Sequence, residues 1–195
     1  MSPDFSFQVP VIETERLLLR GHRLEDFAPC AAMWADPLVT RHIGGQPFSA
    51  EESWSRLLRY AGHWAMLGYG YWMVEEKSTG AFAGEVGFAD YHRTLDPPLP
   101  AGPETGWVLA SAFHGKGYAT EAVRASLQWG DAKLALNETN CIIHPENLGS
   151  IRVALKCGYT ETAPRTYKGQ PVTAFIRRGA TCPTPAESPS PPLAP

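Results

Sequence analysis

The sequence predicts a single α/β domain built on a mixed sheet, and three observations carry that expectation. Hairpin signatures at 69–91 and 159–178 require antiparallel pairing. Between them, a strand at 105–110, a helix at 117–133 and a strand at 140–144 make a strand–helix–strand crossover. The chain is 195 residues long, with 44% hydrophobic and 19% charged residues, enough for one core that needs no disulfide or structural metal. Those values exclude a wholly disordered chain and a simple coiled coil.

Each element has a local reason. Arg16 to Arg20 reads as a short strand with charged ends, near an edge. Leu24 to Trp34 reads as a helix with Asp26 as N-cap and Pro29 in the first turn, where a missing N–H is tolerated. Glu51 to Leu67 is a longer helix with Trp54, Leu57, Leu58, Ala61 and Ala65 on one face. Tyr69 to Glu76 and Phe82 to Tyr91 form a hairpin around Ser78-Thr79-Gly80. In the loop His92 to Pro103, Pro97-Pro98 bars regular helix or a central strand. Thr105 to Ala110 is a strand, followed by a glycine-bearing turn and a helix from Gly117 to Lys133. The inward face of that helix is Ala119, Ala122, Val123, Ser126 and Leu127. Asn140 to His144 is a buried strand, and Leu148 to Cys157 a helix that Gly158 ends. Tyr159 to Tyr167 and Val172 to Arg178 make the last hairpin, turning at Lys168-Gly169. The domain is drawn at 14–179, after an extension at 1–13. Beyond it, residues 180–195 hold six prolines in sixteen residues and are expected to be a disordered tail.

Charge narrows the function. A net charge of −3 and a pI near 6.1 give no bulk electrostatic case for nucleic acid or an anionic membrane. No apolar run approaches a membrane span, and Met1 to Pro10 lacks a basic leader, so a soluble cytoplasmic protein is expected. Cys30, Cys141, Cys157 and Cys182 form no CxxC pair, and His22, His42, His63, His92, His114 and His144 form no HxH or HExxH arrangement. No metal is expected. Trp54, Trp64 and Trp107 read as core, and Arg177-Arg178 as a solvated pair at a strand end.

One segment points to a ligand. After the strand, His114-Gly115-Lys116-Gly117-Tyr118-Ala119-Thr120 opens directly onto an amphipathic helix. Glycines let the backbone approach a ligand, and the first helical N–H groups lack intrahelical partners. With the positive end of the helix dipole they suit a phosphate or diphosphate. A plain tight turn explains the same residues equally well. The spacing is neither a P-loop nor a dinucleotide fingerprint, since Thr120 stands where a third glycine would be.

A second segment, Pro145-Glu146-Asn147-Leu148-Gly149-Ser150 through Lys156-Cys157-Gly158-Tyr159, lies downstream. Together with the opening Thr14-Glu15-Arg16-Leu17-Leu18-Leu19-Arg20, it makes the chain resemble the GNAT superfamily of N-acetyltransferases. The resemblance is to the branch that acetylates ribosomal-protein N-termini at alanine or serine. It runs from about Thr14 to Arg178. The family's phosphate motif falls on His114, Gly117 and Ala119, and His114 departs from the usual glutamine or arginine.

That resemblance implies a central, mostly antiparallel sheet with a splayed parallel strand pair. Acetyl-CoA would be the cosubstrate, its pantetheine pairing with Val108 and Leu109 like an added strand. Amides of Gly115, Lys116, Gly117, Tyr118, Ala119 and Thr120 would hold the diphosphate, Asn147 would contact the pantetheine, and Ser150 would lie near the thioester sulfur. The acceptor would be an amine, on a small molecule or a protein N-terminus.

Transfer needs a deprotonated amine, an oxyanion donor and a proton for the thiolate. Glu104 or Glu85 would accept the amine proton, directly or through water, unless Glu104 is only a rim carboxylate. An amide near Leu109 would bind the oxyanion. Many family members carry a thiolate-protonating tyrosine on this helix, but Ala154 fills that place, which leaves Ser150. His144 reads as a packing or hydrogen-bonding residue. Two other readings fit the glycine turn: a non-catalytic acetyl-CoA-binding domain and a site for another phosphate ligand. Neither the acceptor nor the oligomeric state is legible.

Overall fold

A computed structural model describes residues 8–100, 102–134 and 136–179. The tail expected at 180–195 lies outside the described residues. The strands are β1 (Ile12–Glu13), β2 (Leu17–Arg20), β3 (Tyr71–Glu76), β4 (Ala81–Ala89), β5 (Leu95–Asp96), β6 (Glu104–Leu109), β7 (Glu138–Ile143), β8 (Thr160–Glu161), β9 (Arg165–Tyr167) and β10 (Gln170–Arg178). The helices are α1 (Phe27–Trp34), α2 (Pro37–Thr40), α3 (Ala50–Leu67), α4 (Tyr118–Leu134) and α5 (Leu148–Lys156). The sheet runs β1-β2-β3-β4-β6-β7-β10-β9-β5, with β8 also on β10. Every neighbouring pair is antiparallel except β6 and β7, so the mixed α/β architecture is the one expected.

Side-chain alternation assigns the two faces. Leu17, Leu19, Trp72, Val74, Val86 and Phe88 point into a core closed by Ala122, Val123 and Leu127 of α4. On the opposite face, Cys30, Met33 and Trp34 of α1 meet Val108, and Tyr60 of α3 meets Tyr71 and Ala89. Ser49 caps α3 through a reciprocal exchange with Glu52, and Gly68 ends it at φ 71°.

Three local expectations are corrected. The buried face of α3 is Ser53, Leu57, Tyr60, His63 and Trp64, one position round from the expected one, and Leu58 is exposed. Asp26 caps no helix with its side chain; it takes two bonds from Arg20, at 2.8 and 2.9 Å, and one from the Arg23 amide. Arg177 is no solvated residue, because its guanidinium pairs with both oxygens of Asp131. Two short strands complete the sheet: β1, which pairs with β2, and β5, an edge strand inside the proline-dense loop, where only helix and a central strand were barred.

The central strands matter most. β6 is paired with β4 along its whole length, from Glu104 to Leu109. Its parallel pairing with β7 has a single register point, Glu104 with Asn140. Beyond that point the strands part. The closed end is fastened by Tyr159, which follows the αL residue Gly158: its hydroxyl donates to Thr105 Oγ1 at 2.7 Å and lies 3.0 Å from Thr139 Oγ1. One buried phenol therefore ties β6 to β7 where they meet, and nothing comparable holds their far ends among the described residues.

Candidate active site

Two adjoining cavities open where β6 and β7 separate. One, of about 670 Å³, is lined by Val108, Leu109, Asn147 and Ser150 and by the turn residues His114, Gly115 and Gly117. Tyr118, Ala119 and Thr120 complete its wall. The other, of about 700 Å³, extends along β6 from Val108 to Glu104 and is walled by α3, β7 and the last hairpin. Trp107, Val108, Asn147 and Ser150 line both, so they mark the passage between them. The fold thus brings the sequence-selected residues together around one continuous opening, Lys116 and Glu85 excepted.

The turn is shaped by its glycines. Gly115 and Gly117 sit at φ 76° and 81°, a region that costs an L side chain about 1–2 kcal/mol. The His114 side chain turns back: its Nε2 lies 2.9 Å from the Leu109 carbonyl, a bond it makes as donor. It therefore closes the turn rather than reaching into the opening. Lys116 packs its ammonium 4.8 Å from the Phe113 ring. Tyr118 donates to Glu76 at 2.6 Å.

Arg16 holds this turn from outside. It donates to the Lys116 carbonyl at 2.9 Å and to Glu121 at 2.8 Å, and its guanidinium lies 4.5 Å from the Tyr118 ring centroid. Thr14 also donates to Glu121, at 2.6 Å. Burial works against the Glu121 charge, but the Thr14 hydroxyl and Arg16 outweigh it and hold the carboxyl below its ordinary range. The opening Thr-Glu-Arg segment is thereby a clamp on the turn, a role that no local pattern announces.

On the other wall, Asn147 N-caps α5 by accepting the Ser150 amide at 3.1 Å, which fixes Ser150 in the first turn beside the passage. Glu104 lines the larger cavity with both oxygens engaged by Arg93, at 2.5 and 2.8 Å, and Arg93 also donates to Tyr167. Ala154 is fully buried.

Glu85, a candidate base on sequence grounds, does not line the cavity. It is wholly buried, accepting from Cys30 and Trp34 at 3.1 Å and from Tyr60 at 3.0 Å, with His22 Nε2 3.3 Å away. Burial penalises the charge, yet His22, Cys30 and Tyr60 outweigh it and leave the carboxyl below its ordinary pKa. Such a group anchors α1 and α3 to β4. It touches the larger cavity only through the Tyr60 hydroxyl, not with its own oxygens.

Cys30, Cys141 and Cys157 are free and buried. Trp64 is core, Trp107 lines the passage, and Trp54 packs edge-on against Phe27. His144 lies at the cavity wall, its ring 5.2 Å from that of His42. With Glu146 these make the group that could hold a metal among the described residues, ligand atoms within 4.8 Å of one another, on a partly exposed rim. No local spacing announces it, since His42 stands far from His144 and Glu146 in the chain.

An anion-suited turn leads through a parted parallel strand pair to a walled cavity, a shape that suits a long, phosphate-bearing ligand lying across the sheet. The family model described as the acetyltransferase (GNAT) domain matches residues 16–160, and the chain belongs to that family. It is 30% identical to an uncharacterized N-acetyltransferase of Bacillus licheniformis over 141 residues, 72% of this chain and 76% of that one. Among solved structures, an acetyltransferase from Agrobacterium tumefaciens is similar at 28% identity and TM-score 0.75, covering 89% of this chain and 96% of that one. A Bordetella pertussis protein assigned to the GNAT family is similar at 27% identity and TM-score 0.76, covering 87% and 99%.

More distant structures share the fold alone. They include a ribosomal-protein alanine acetyltransferase from Vibrio fischeri, at 18% identity, and a spermidine N-acetyltransferase from Vibrio cholerae in complex with CoA and spermine, at 16%. The ribosomal-protein branch is thus one of several that lie near this chain. No helix among the described residues is long and apolar enough to cross a membrane.

Proposed function

We propose that this chain transfers the acetyl group of acetyl-CoA directly to the nitrogen of a primary amine. The observation that carries the reading is the single-point register of β6 and β7, which leaves β6 beyond Thr105 without a partner on that side. An extended ligand with amide groups can pair there as a strand would. The pantetheine would lie along Val108 and Leu109 and contact Asn147. Its diphosphate would reach the amides of the Gly115–Thr120 turn, in the smaller cavity, and the acetyl group the larger one.

In the step itself the free amine attacks the thioester carbonyl, the C–S bond breaks, and the products are an acetamide and CoA thiol. Two protons must move. The ammonium proton leaves through water toward Glu104, which Arg93 holds in one orientation. Ser150, at the passage on the first turn of α5, gives its proton to the thiolate and regains one through the water that takes the ammonium proton, so the net transfer is from nitrogen to sulfur. An amide near Leu109 stabilises the oxyanion, the kind of term worth about 3 kcal/mol per donor.

Competition calorimetry tests the assignment of the ligand. Acetyl-CoA should bind with micromolar affinity while ATP and NAD fail to displace it. Displacement by either nucleotide would assign the turn to a different phosphate ligand.

A further inference from the structure

Four cations line the larger cavity, Arg41, Arg56, Arg93 and Lys168, against one carboxylate, Glu104. Glu104 is already shared with Arg93. Arg41 and Lys168 are exposed, so water solvates their charges. Arg56 is different. Its guanidinium carbon lies 3.9 Å from the Trp34 ring centroid and 4.9 Å from that of Phe48, rings that are themselves stacked. Its Nε is buried with no hydrogen-bond partner, and it forms no salt bridge among the described residues. Burial opposes its charge, but Tyr60, Tyr91 and Glu85 nearby more than offset this, and the group stays cationic. A guanidinium fixed on an aromatic shelf with donors to spare suits a planar or tetrahedral oxyanion.

The cofactor does not supply that anion. In the placement proposed above, its phosphates lie at the glycine turn in the other cavity, and the pantetheine and acetyl groups are neutral. Glu85 supports the Arg56 charge without a hydrogen bond to it, so an anion that bonds Arg56 from the cavity would arrive with the acceptor. We infer that Arg56 is the anchor of an acceptor subsite, and that the substrate is a primary amine also bearing an anionic group, a carboxylate or a phosphate. This rests on the acetyltransferase reading and deepens it. A polycationic amine would meet a cavity of its own sign.

Matched amines test the inference on the full chain with saturating acetyl-CoA. β-Alanine is set against propylamine, O-phosphoethanolamine against ethanolamine, and spermidine serves as the polycation. The anionic member of at least one pair should have a kcat/KM at least about 10-fold higher, the scale of one charge-assisted bond. Which pair shows it separates carboxylate from phosphate. Arg56→Met should erase the preference by raising KM for the anionic amine, and Arg56→Lys should restore part of it. Acetyl-CoA affinity verifies that each variant is folded.

Preference for neutral or polycationic amines, or a preference that survives in Arg56→Met, overturns the inference while acetyl transfer stands. If no amine is acetylated, the transfer reading fails by itself. The subsite is then judged by tryptophan fluorescence, because Arg56 lies on Trp34. A saturable response to β-alanine or O-phosphoethanolamine that Arg56→Met abolishes upholds it, and no response sinks it.

Discussion

Gly117→Asp, compared with Gly117→Ala, isolates the charge that the glycine turn is proposed to face. Gly117 sits at φ 81°, and a Cβ there would meet Arg16 Nη2 at 3.5 Å, an ordinary contact. Space is therefore available, and alanine carries only the backbone strain of about 1–2 kcal/mol, a fall of roughly 2–8 °C in Tm. Its acetyl-CoA affinity should stay within about 30-fold of wild type, since that strain can at most be borne by the bound state. Aspartate adds a negative charge beside a diphosphate that carries about two. At ~6 Å each charge pair repels by ~0.7 kcal/mol in bulk water and by ~2.8 kcal/mol at an effective dielectric of ~20. Two pairs at a water-lined turn fall between those limits, at ~2–3 kcal/mol in total, which is a further loss of ~30- to 150-fold. The assay is calorimetric titration of both variants with acetyl-CoA at two salt concentrations, and the gap should shrink as salt screens the repulsion. Affinities for Gly117→Asp and Gly117→Ala that agree within threefold would refute the placement of the diphosphate.

Three further outcomes follow from the same geometry. Tyr159→Phe leaves Thr105 and Thr139 without their shared partner, and should cost about 1–3 kcal/mol in urea unfolding while raising the acetyl-CoA Kd, because the closed end of the strand pair loosens; unchanged stability would mean that the phenol fastens nothing. Ser150→Ala should lower turnover by about 100-fold with acetyl-CoA affinity nearly unchanged, and full turnover in that variant would move thiolate protonation to water or another group. Glu85 has a folded pKa below its unfolded value, so its contribution to stability is present above the ordinary carboxylate range and is lost as pH falls through the folded value. Glu85→Gln should lower stability near neutral pH by about 3 kcal/mol and flatten the acid limb of the stability curve, and an unaltered acid limb would show that Glu85 is not the group responsible.

Long, periodic or glycine-marked elements were legible in the sequence. The central hairpin, the crossover through α4, the turn at Gly115 and Gly117, and the Asn147 cap all follow from local chemistry, and the residues selected with them, Lys116 excepted, line the smaller cavity or the passage. The face of α3 was misjudged because Ser53, Tyr60 and His63 are polar by composition, whereas Tyr60 is buried precisely in its role as donor to Glu85. Glu85 itself reads as a cleft acid, since a glutamate buried without solvent is rare; only the assembly of four donors from three separate segments makes the site tolerable. Arg16 and Arg56 stand in no motif. What each does depends on residues brought to it by folding: the Lys116 carbonyl and Glu121 for one, Trp34 and Phe48 for the other. Two-residue strands such as β1, β5 and β8 owe their pairing to neighbours and leave no periodicity to read.

The central claim is that the opening between β6 and β7 serves acetyl transfer to an amine. The direct measurement is mass spectrometry of an amine panel incubated with the full chain and acetyl-CoA, with CoA thiol counted in parallel. The account predicts one acetyl group gained on the amine nitrogen for each thiol released, with both falling together in Ser150→Ala. Tight acetyl-CoA binding with no amine acetylated, or thiol released without acetylated product, would contradict it.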